Sequence, residues 1–240
     1  DYQTPFFFAF IIAIISCLIA YFLLTEPKKR NDQFVSMNFL DSFKDLINLF
    51  KIPALLFLIT VSFLVTFSFA GFETTFALWT ERAMSWASRQ TGYAFAFTAL
   101  LAALIQGIFI GKLTKAFGEL KLLITSCFLM LIGLFFITLS IQNLFYLVFS
   151  LGILGISVGL GNPSLNSLLS KNLNKNIIGT SFGVVQSVGS LARILSPLLA
   201  GNLFYFFGIN SPYSLGAFLM FISLLIFFYY FSILKKSIKT

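Results

Sequence analysis

Seven times along the chain a run of apolar residues approaches twenty before polar residues break it. The runs fall at residues 6–24, 52–72, 92–111, 122–140, 144–160, 178–204 and 213–231. A helix needs about 20 residues to cross about 30 Å of hydrocarbon, so each run predicts one crossing. Buried helices of a soluble domain would show runs of about 10–14 residues instead. The fifth run, LVFSLGILGISVGLGNP, is slightly short and rich in glycine, and Pro163 is expected to end or kink it.

The segment between the first two runs has a different period. In NFLDSFKDLINLF, Phe39, Leu40, Phe43, Leu46, Ile47 and Phe50 share one face, and Asp41, Lys44, Asp45 and Asn48 take the other. It reads as a cytoplasmic helix lying in the membrane interface, with a plain linker as the alternative. Either way it separates one crossing from a following set of six.

Composition supports the membrane reading. Of 240 residues 58% are hydrophobic and 33 are Phe, more apolar surface than a soluble fold of this size can hide. The net charge of +8 sorts by side. Thirteen of the sixteen basic residues, Lys28 to Lys51, Lys112 to Lys121, Lys171, Lys175 and Lys235 to Lys239, fall on one side of seven crossings. Arg82 and Arg89 fall on the other, and Arg193 lies within a run. That asymmetry places the beginning of the chain outside and its end in the cytoplasm, and it removes the nucleic-acid reading of a basic protein. The opening DYQTPFFFAF lacks an initiator Met and a basic n-region, so it reads as a piece of a longer chain and not as a signal peptide. Cys17 and Cys127 both lie in apolar runs and form no loop disulfide framework. Without histidine there is no His-based metal site or general base.

Polar residues inside the runs are the candidates for function. Around Arg193, a stripe of Gly179, Gly183, Gln186, Ser190, Arg193, Pro197 and Gly201 recurs every three or four residues. Its glycines would allow close helix contact, and Pro197 would bend the helix and free a carbonyl near residue 193. A mid-span arginine costs at least about 2.5–3.5 kcal/mol on insertion scales, so it either faces the bundle interior or snorkels to the interface. SFAGFETTFALW puts Glu73 just past the second run, as a rim carboxylate or a solvated loop residue. Phe76, Trp79 and Trp86 read as an interfacial aromatic belt. Gln106 lies inside the third run, as packing glue or as a substrate contact. Asn162 and Asn202 fall towards run ends, where capping and turn roles compete. In GKLTKAFGELKLL, Gly111 and Gly118 would allow a tight turn, and Glu119 alone offsets Lys112, Lys115 and Lys121.

These segments resemble the major facilitator superfamily. GKLTKAFGE is similar to its loop signature Gly-x-Leu-x-Asp-x-x-Gly-Arg in the degenerate second-half copy. Gly111, Leu113 and Gly118 match, whereas Lys115 stands for the acidic residue and Glu119 for the first basic one. NPSLNSLLSKNLNKNIIGTSFGVVQSVGSLARILSPLLAG resembles the tenth-to-eleventh helix region of the drug and tetracycline efflux branch, through Pro163, Gly179, Gly183 and Ser196-Pro197-Leu198. LLTEPKKR resembles the end of the sixth helix and the central linker. The resemblance implies an all-α integral membrane fold of the major facilitator type, incomplete, with seven transmembrane helices. Residues 1–27 would be the last helix of a missing N-terminal half, 28–51 the linker, and 52–240 a six-helix C-terminal half.

The implied function is proton-coupled efflux of small hydrophobic or amphipathic compounds by alternating access, in a bacterial inner membrane and without a cofactor or metal. Arg193, Gln186, Ser190, Gln106 and Glu73 would serve the substrate cavity, and Gly111, Leu113, Lys115, Gly118 and Glu119 a gating turn. Because this half offers only Glu73 near a run, the main coupling carboxylate is expected in the missing half. A non-transporting remnant or assembly partner is the alternative. A retinal protein is disfavoured because no lysine sits mid-span, and a membrane enzyme because intramembrane histidines and paired carboxylates are absent.

Overall fold

The computed structural model describes residues 3–24, 52–172 and 178–237. The proposed linker helix at residues 39–50, with Lys28 to Lys51 and Lys175, lies outside them. All described elements are helical. The chain divides into two units, the first ending at Ser42. From the first unit the structure describes one apolar helix, α1 (Thr4–Leu23).

The second unit holds α2 (Pro53–Met84), α3 (Ser88–Leu104), a π-helical segment (Ile105–Phe109) running into α4 (Ile110–Phe117), α5 (Glu119–Thr138), α6 (Leu144–Asn172), α7 (Ile178–Phe206) and α8 (Ser211–Ser237). With α3 to α4 counted as one continuous rod, seven described helices are long and apolar enough to cross a membrane. Local chemistry sets the ends. Pro53 opens α2 at a position that has no need of an N–H. Gln90 accepts the Ala87 N–H at 3.1 Å at the start of α3. Gly118, at φ +79, turns the chain from α4 into α5. Gly111, expected to help make that turn, lies inside α4 instead.

Two expected boundaries move, each with a consequence. Residues 144–160 were only part of a helix that continues to Asn172, with Pro163 inside it. One missing hydrogen bond does not end a helix held on both sides by neighbours. Likewise α2 does not stop at Phe72 but runs on to Met84, so Glu73 is the twenty-first of 32 helical residues and no rim or loop residue. The same extension overturns the aromatic belt. Phe76 and Trp79 are fully buried, and Trp86 packs on the core in part. Phe76 and Trp79 stack with 6.3 Å between ring centroids, and Tyr213 of α8 meets Trp79 edge-on. The Trp79 indole N–H donates to Asn210 Oδ1 at 2.8 Å, and Asn210 Nδ2 donates to the Thr138 carbonyl at 3.1 Å. One asparagine thus ties α2, the end of α5 and the start of α8.

Hydroxyls and glycines set the helix registers. Ser196 of α7 donates to the Phe67 carbonyl of α2 at 2.6 Å, and Ser150 of α6 to the Gly133 carbonyl of α5 at 2.7 Å. Close helix contact comes from other glycines than those expected on α7. A Cβ at Gly179, Gly183 or Gly201 would meet nothing within 4 Å. On α6, a Cβ at Gly155 would lie 2.6 Å from the Thr98 carbonyl oxygen, and one at Gly159 would lie 2.7 Å from Ile105 Cβ. The glycines that made the fifth run look weak are therefore what lets α3 approach α6. Gly155→Ala should destabilise the purified full-length protein by about 1–3 kcal/mol, because backbone atoms must part to admit the methyl. Gly92→Ala, where nothing lies within 4 Å, is the control. Thermal unfolding in detergent checks the pair.

A polar cavity beside an apolar one

Along α2, Thr66, Ala70 and Glu73 follow at intervals of four and three, so they occupy one face. The flanking Phe67, Phe72 and Phe76 are buried on the other sides. That face opens on a cavity of about 370 Å³, whose polar lining is Thr66, Glu73, Ser126, Asn162 and Arg193. A second cavity of about 670 Å³ lies alongside and is mainly apolar, with Phe69, Phe72, Phe95 and Ala102 in its wall. Phe69, Glu73 and Val158 line both. Glu73 therefore stands on the partition between a charged space and an aromatic one.

Arg193 reaches the polar cavity from α7, where it is the sixteenth of 29 residues. The neighbouring Ala192 and Ser196 are fully buried, and the Ser196 hydrogen bond to α2 holds this part of α7 against the helix that carries Glu73. At about 1.5 Å per residue, either end of α7 is about 20 Å from Arg193. Arg193 thus stands near the middle of the helix, where it lines the polar cavity. Among the described residues one ion pair forms, between Glu119 and Lys171. Glu73 and Arg193 thus face a common space without closing a pair across it.

The other expected cavity residues divide. Gln106 lines the apolar cavity with Glu73 and lies in the π-helical segment, a distortion often found at functional sites. Gln186 and Ser190 are exposed on α7 and line neither cavity, and the Ser190 hydroxyl donates to the Gln186 carbonyl at 3.0 Å. Asn162 stands mid-helix and lines the polar cavity, which replaces its capping role. Asn202 donates to the Leu198 carbonyl of its own helix at 2.7 Å. Sequence reading missed Thr66 and Ser126. Thr66 could have been found from its seven-residue spacing to Glu73, but nothing marks Ser126 in the apolar run of α5. At the turn, Glu119 does not simply offset the nearby lysines. It pairs with Lys171 at the end of α6 and accepts the Ser167 hydroxyl at 3.2 Å.

Seven described helices long and apolar enough to cross a membrane, with charged groups lining a cavity at mid-helix, define a multi-pass membrane protein. The family model of the Major Facilitator Superfamily matches residues 1–197 and 81–240, and the chain belongs to that superfamily. It is 25% identical over 228 residues to multidrug resistance protein 2 of Bacillus subtilis, covering 92% of this chain and 55% of that protein. It is 27% identical over 203 residues to the class C tetracycline resistance protein of Escherichia coli, covering 82% and 49%. The chain thus spans about half the length of the curated relatives it matches. Its fold is similar to that of the human organic anion transporter TETRAN, with a TM-score of 0.67 and 25% identity over 72% of this chain and 40% of that one. A peptide transporter of the POT family shares the fold at a TM-score of 0.61 and 20% identity.

Proposed function

We propose that this chain is the carboxy-terminal part of a secondary transporter, with α1 as the last helix of the preceding half and α2 to α8 as a six-helix half. In the full-length protein it exports small hydrophobic or amphipathic compounds in exchange for protons, by rocking of the two halves around a midplane site. The observation that carries this reading is the place of Glu73. It borders an aromatic space suited to an apolar body and a polar space governed by Arg193. A carboxylate there can hold a proton in one state and face substrate or arginine in the other. This half then has a coupling carboxylate of its own. The similarity to multidrug and tetracycline resistance proteins supports the efflux direction. Transport by full-length protein in proteoliposomes, with and without an imposed pH gradient, tests the reading. No response to the gradient would reject proton coupling.

The charge asymmetry supports an orientation with the loop between α2 and α3 outside the cell and the end of α8 inside. With Cys17 and Cys127 replaced, single cysteines at Ser88 and Ser237 should be labelled by impermeant thiol reagents from opposite sides. Labelling of Ser88→Cys from the cytoplasmic side alone rejects the orientation.

A further inference from the structure

We infer that Gln106 is a specificity-determining residue of the apolar cavity: it anchors elongated amphipaths that place an amine at Glu73 and a neutral hydrogen-bonding group at their other end. The inference rests on the reading of the two cavities as the substrate site of a transporter. The apolar cavity, about 670 Å³, falls within the range of about 300–1,000 Å³ usual for small-molecule sites. Its polar side chains stand at its ends. The Phe95 ring of α3 lies 6.1 Å from that of Phe72 and 5.2 Å from that of Phe76, so the turn of α2 that carries Glu73 is level with Phe95. Gln106 is eleven residues further along the same rod, about 16 Å at about 1.5 Å per residue. Between the two ends the wall includes Ala99, Ala102, Ala103 and Val158. The Thr98 hydroxyl is engaged within α3, where it donates to the Ala94 carbonyl at 3.0 Å.

The two ends select different chemistry. At the first, Glu73 shares the wall with Phe69, Phe72 and Phe95. A carboxylate among aromatic rings suits an amine cation, which gains both from the opposite charge and from the ring quadrupoles. Arg193 lines the polar cavity and not this one. An amine at Glu73 competes with a proton for the carboxylate, as an exchange of substrate for protons requires. At the second end no charged residue lines the wall, so an ion there would lack a counter-charge. Gln106 offers a carbonyl oxygen and an NH₂ group, which match an amide on the ligand. Its side chain makes no hydrogen bond among the described residues. A polar side chain at membrane depth without a partner in its own bundle points to function.

The backbone holds Gln106 in place. A Cβ at Gly159 of α6 would lie 2.7 Å from Ile105 Cβ and 3.0 Å from the Ala102 carbonyl oxygen, so α6 packs tightly on α3 where the π-helical segment begins. The Ile110 N–H donates to the Ile105 carbonyl, five residues back, and closes the wider turn that contains Gln106. A group carried on backbone fixed in this way loses less freedom when a ligand binds.

Equilibrium binding to the purified full-length protein tests this with two series of probes. One is N,N-dimethylalkylamines of increasing chain length, the other the same amines ending in a primary amide. The terminal amide should raise affinity by about two- to tenfold, the equivalent of one hydrogen bond, and only near the chain length that reaches Gln106. Gln106→Leu should abolish that maximum. Gln106→Asn, shorter by a methylene, should keep it and move it to a longer chain. A merely structural defect would weaken both series together and leave the maximum where it was. Glu73→Gln should weaken both series at every length. If the amide gives the parent no length-dependent gain, or the gain survives Gln106→Leu, the anchor role is overturned and Gln106 serves packing or contact with the preceding half. Binding of the plain amines that depends on Glu73 would then still support the cavity as the substrate site. If the plain amines do not bind, or bind Glu73→Gln as they bind the parent, the substrate-site reading falls and the anchor with it.

Discussion

Transport by the full-length protein carrying Glu73→Gln should no longer respond to a pH gradient, while exchange of labelled for unlabelled substrate continues. Glutamine keeps the size and hydrogen-bonding reach of the carboxyl, so the cavity is preserved. What it cannot do is change charge. A proton-coupled carrier depends on one group whose protonation alters the affinity for substrate, and the coupling between two ligands is typically about 1–3 kcal/mol. Gradient-driven transport should therefore fall by about 5- to 150-fold. Glu73→Asp keeps the titrating group but shortens it by about one methylene, and should retain part of the response. If Glu73→Gln is driven by the gradient as well as the parent, the coupling carboxylate lies elsewhere, as the sequence alone suggested.

The sequence reading ended the second crossing before Glu73, and the helix runs past it for a physical reason. A carboxylate in the pattern FAGFETTFAL interrupts an apolar run, and a run is the signal by which a crossing is read. Yet α2 is amphipathic in a way that averaging hides. Phe72, Thr75, Phe76 and Trp79 are buried within the bundle, while Glu73 faces the cavity. The same averaging shortened α6, because Asn162 and Pro163 look like a stop, although neighbouring helices on both sides carry the helix past them. What was legible was whatever depends on length and apolar content. The number of crossings, the continuity of α7 and the mid-helix place of Arg193 all follow from those two quantities. Helix-to-helix geometry was not legible. Gly155 and Gly159 meet α3 because of how α6 crosses it, whereas Gly179, Gly183 and Gly201 meet no described neighbour. Spacing along one helix says which residues share a face, but not which face finds a partner.

Replacement of Arg193 should separate charge from geometry. Its cavity also holds Glu73, Asn162, Thr66 and Ser126, and no ion pair closes across it. The guanidinium stays protonated at any working pH, so it cannot be the proton carrier. Its contribution is a fixed positive field in the cavity that attracts anions and repels cations. Arg193→Ala should therefore lose most gradient-driven transport while the protein still reaches the membrane. Arg193→Lys keeps the charge without the planar fork and should retain part of it. Arg193→Glu puts a second negative charge beside Glu73 and should be worse than either. Transport in vesicles with matched protein levels orders the three variants. If Arg193→Ala transports like the parent, the field of the arginine has no part in coupling, and Glu73 works alone in this half.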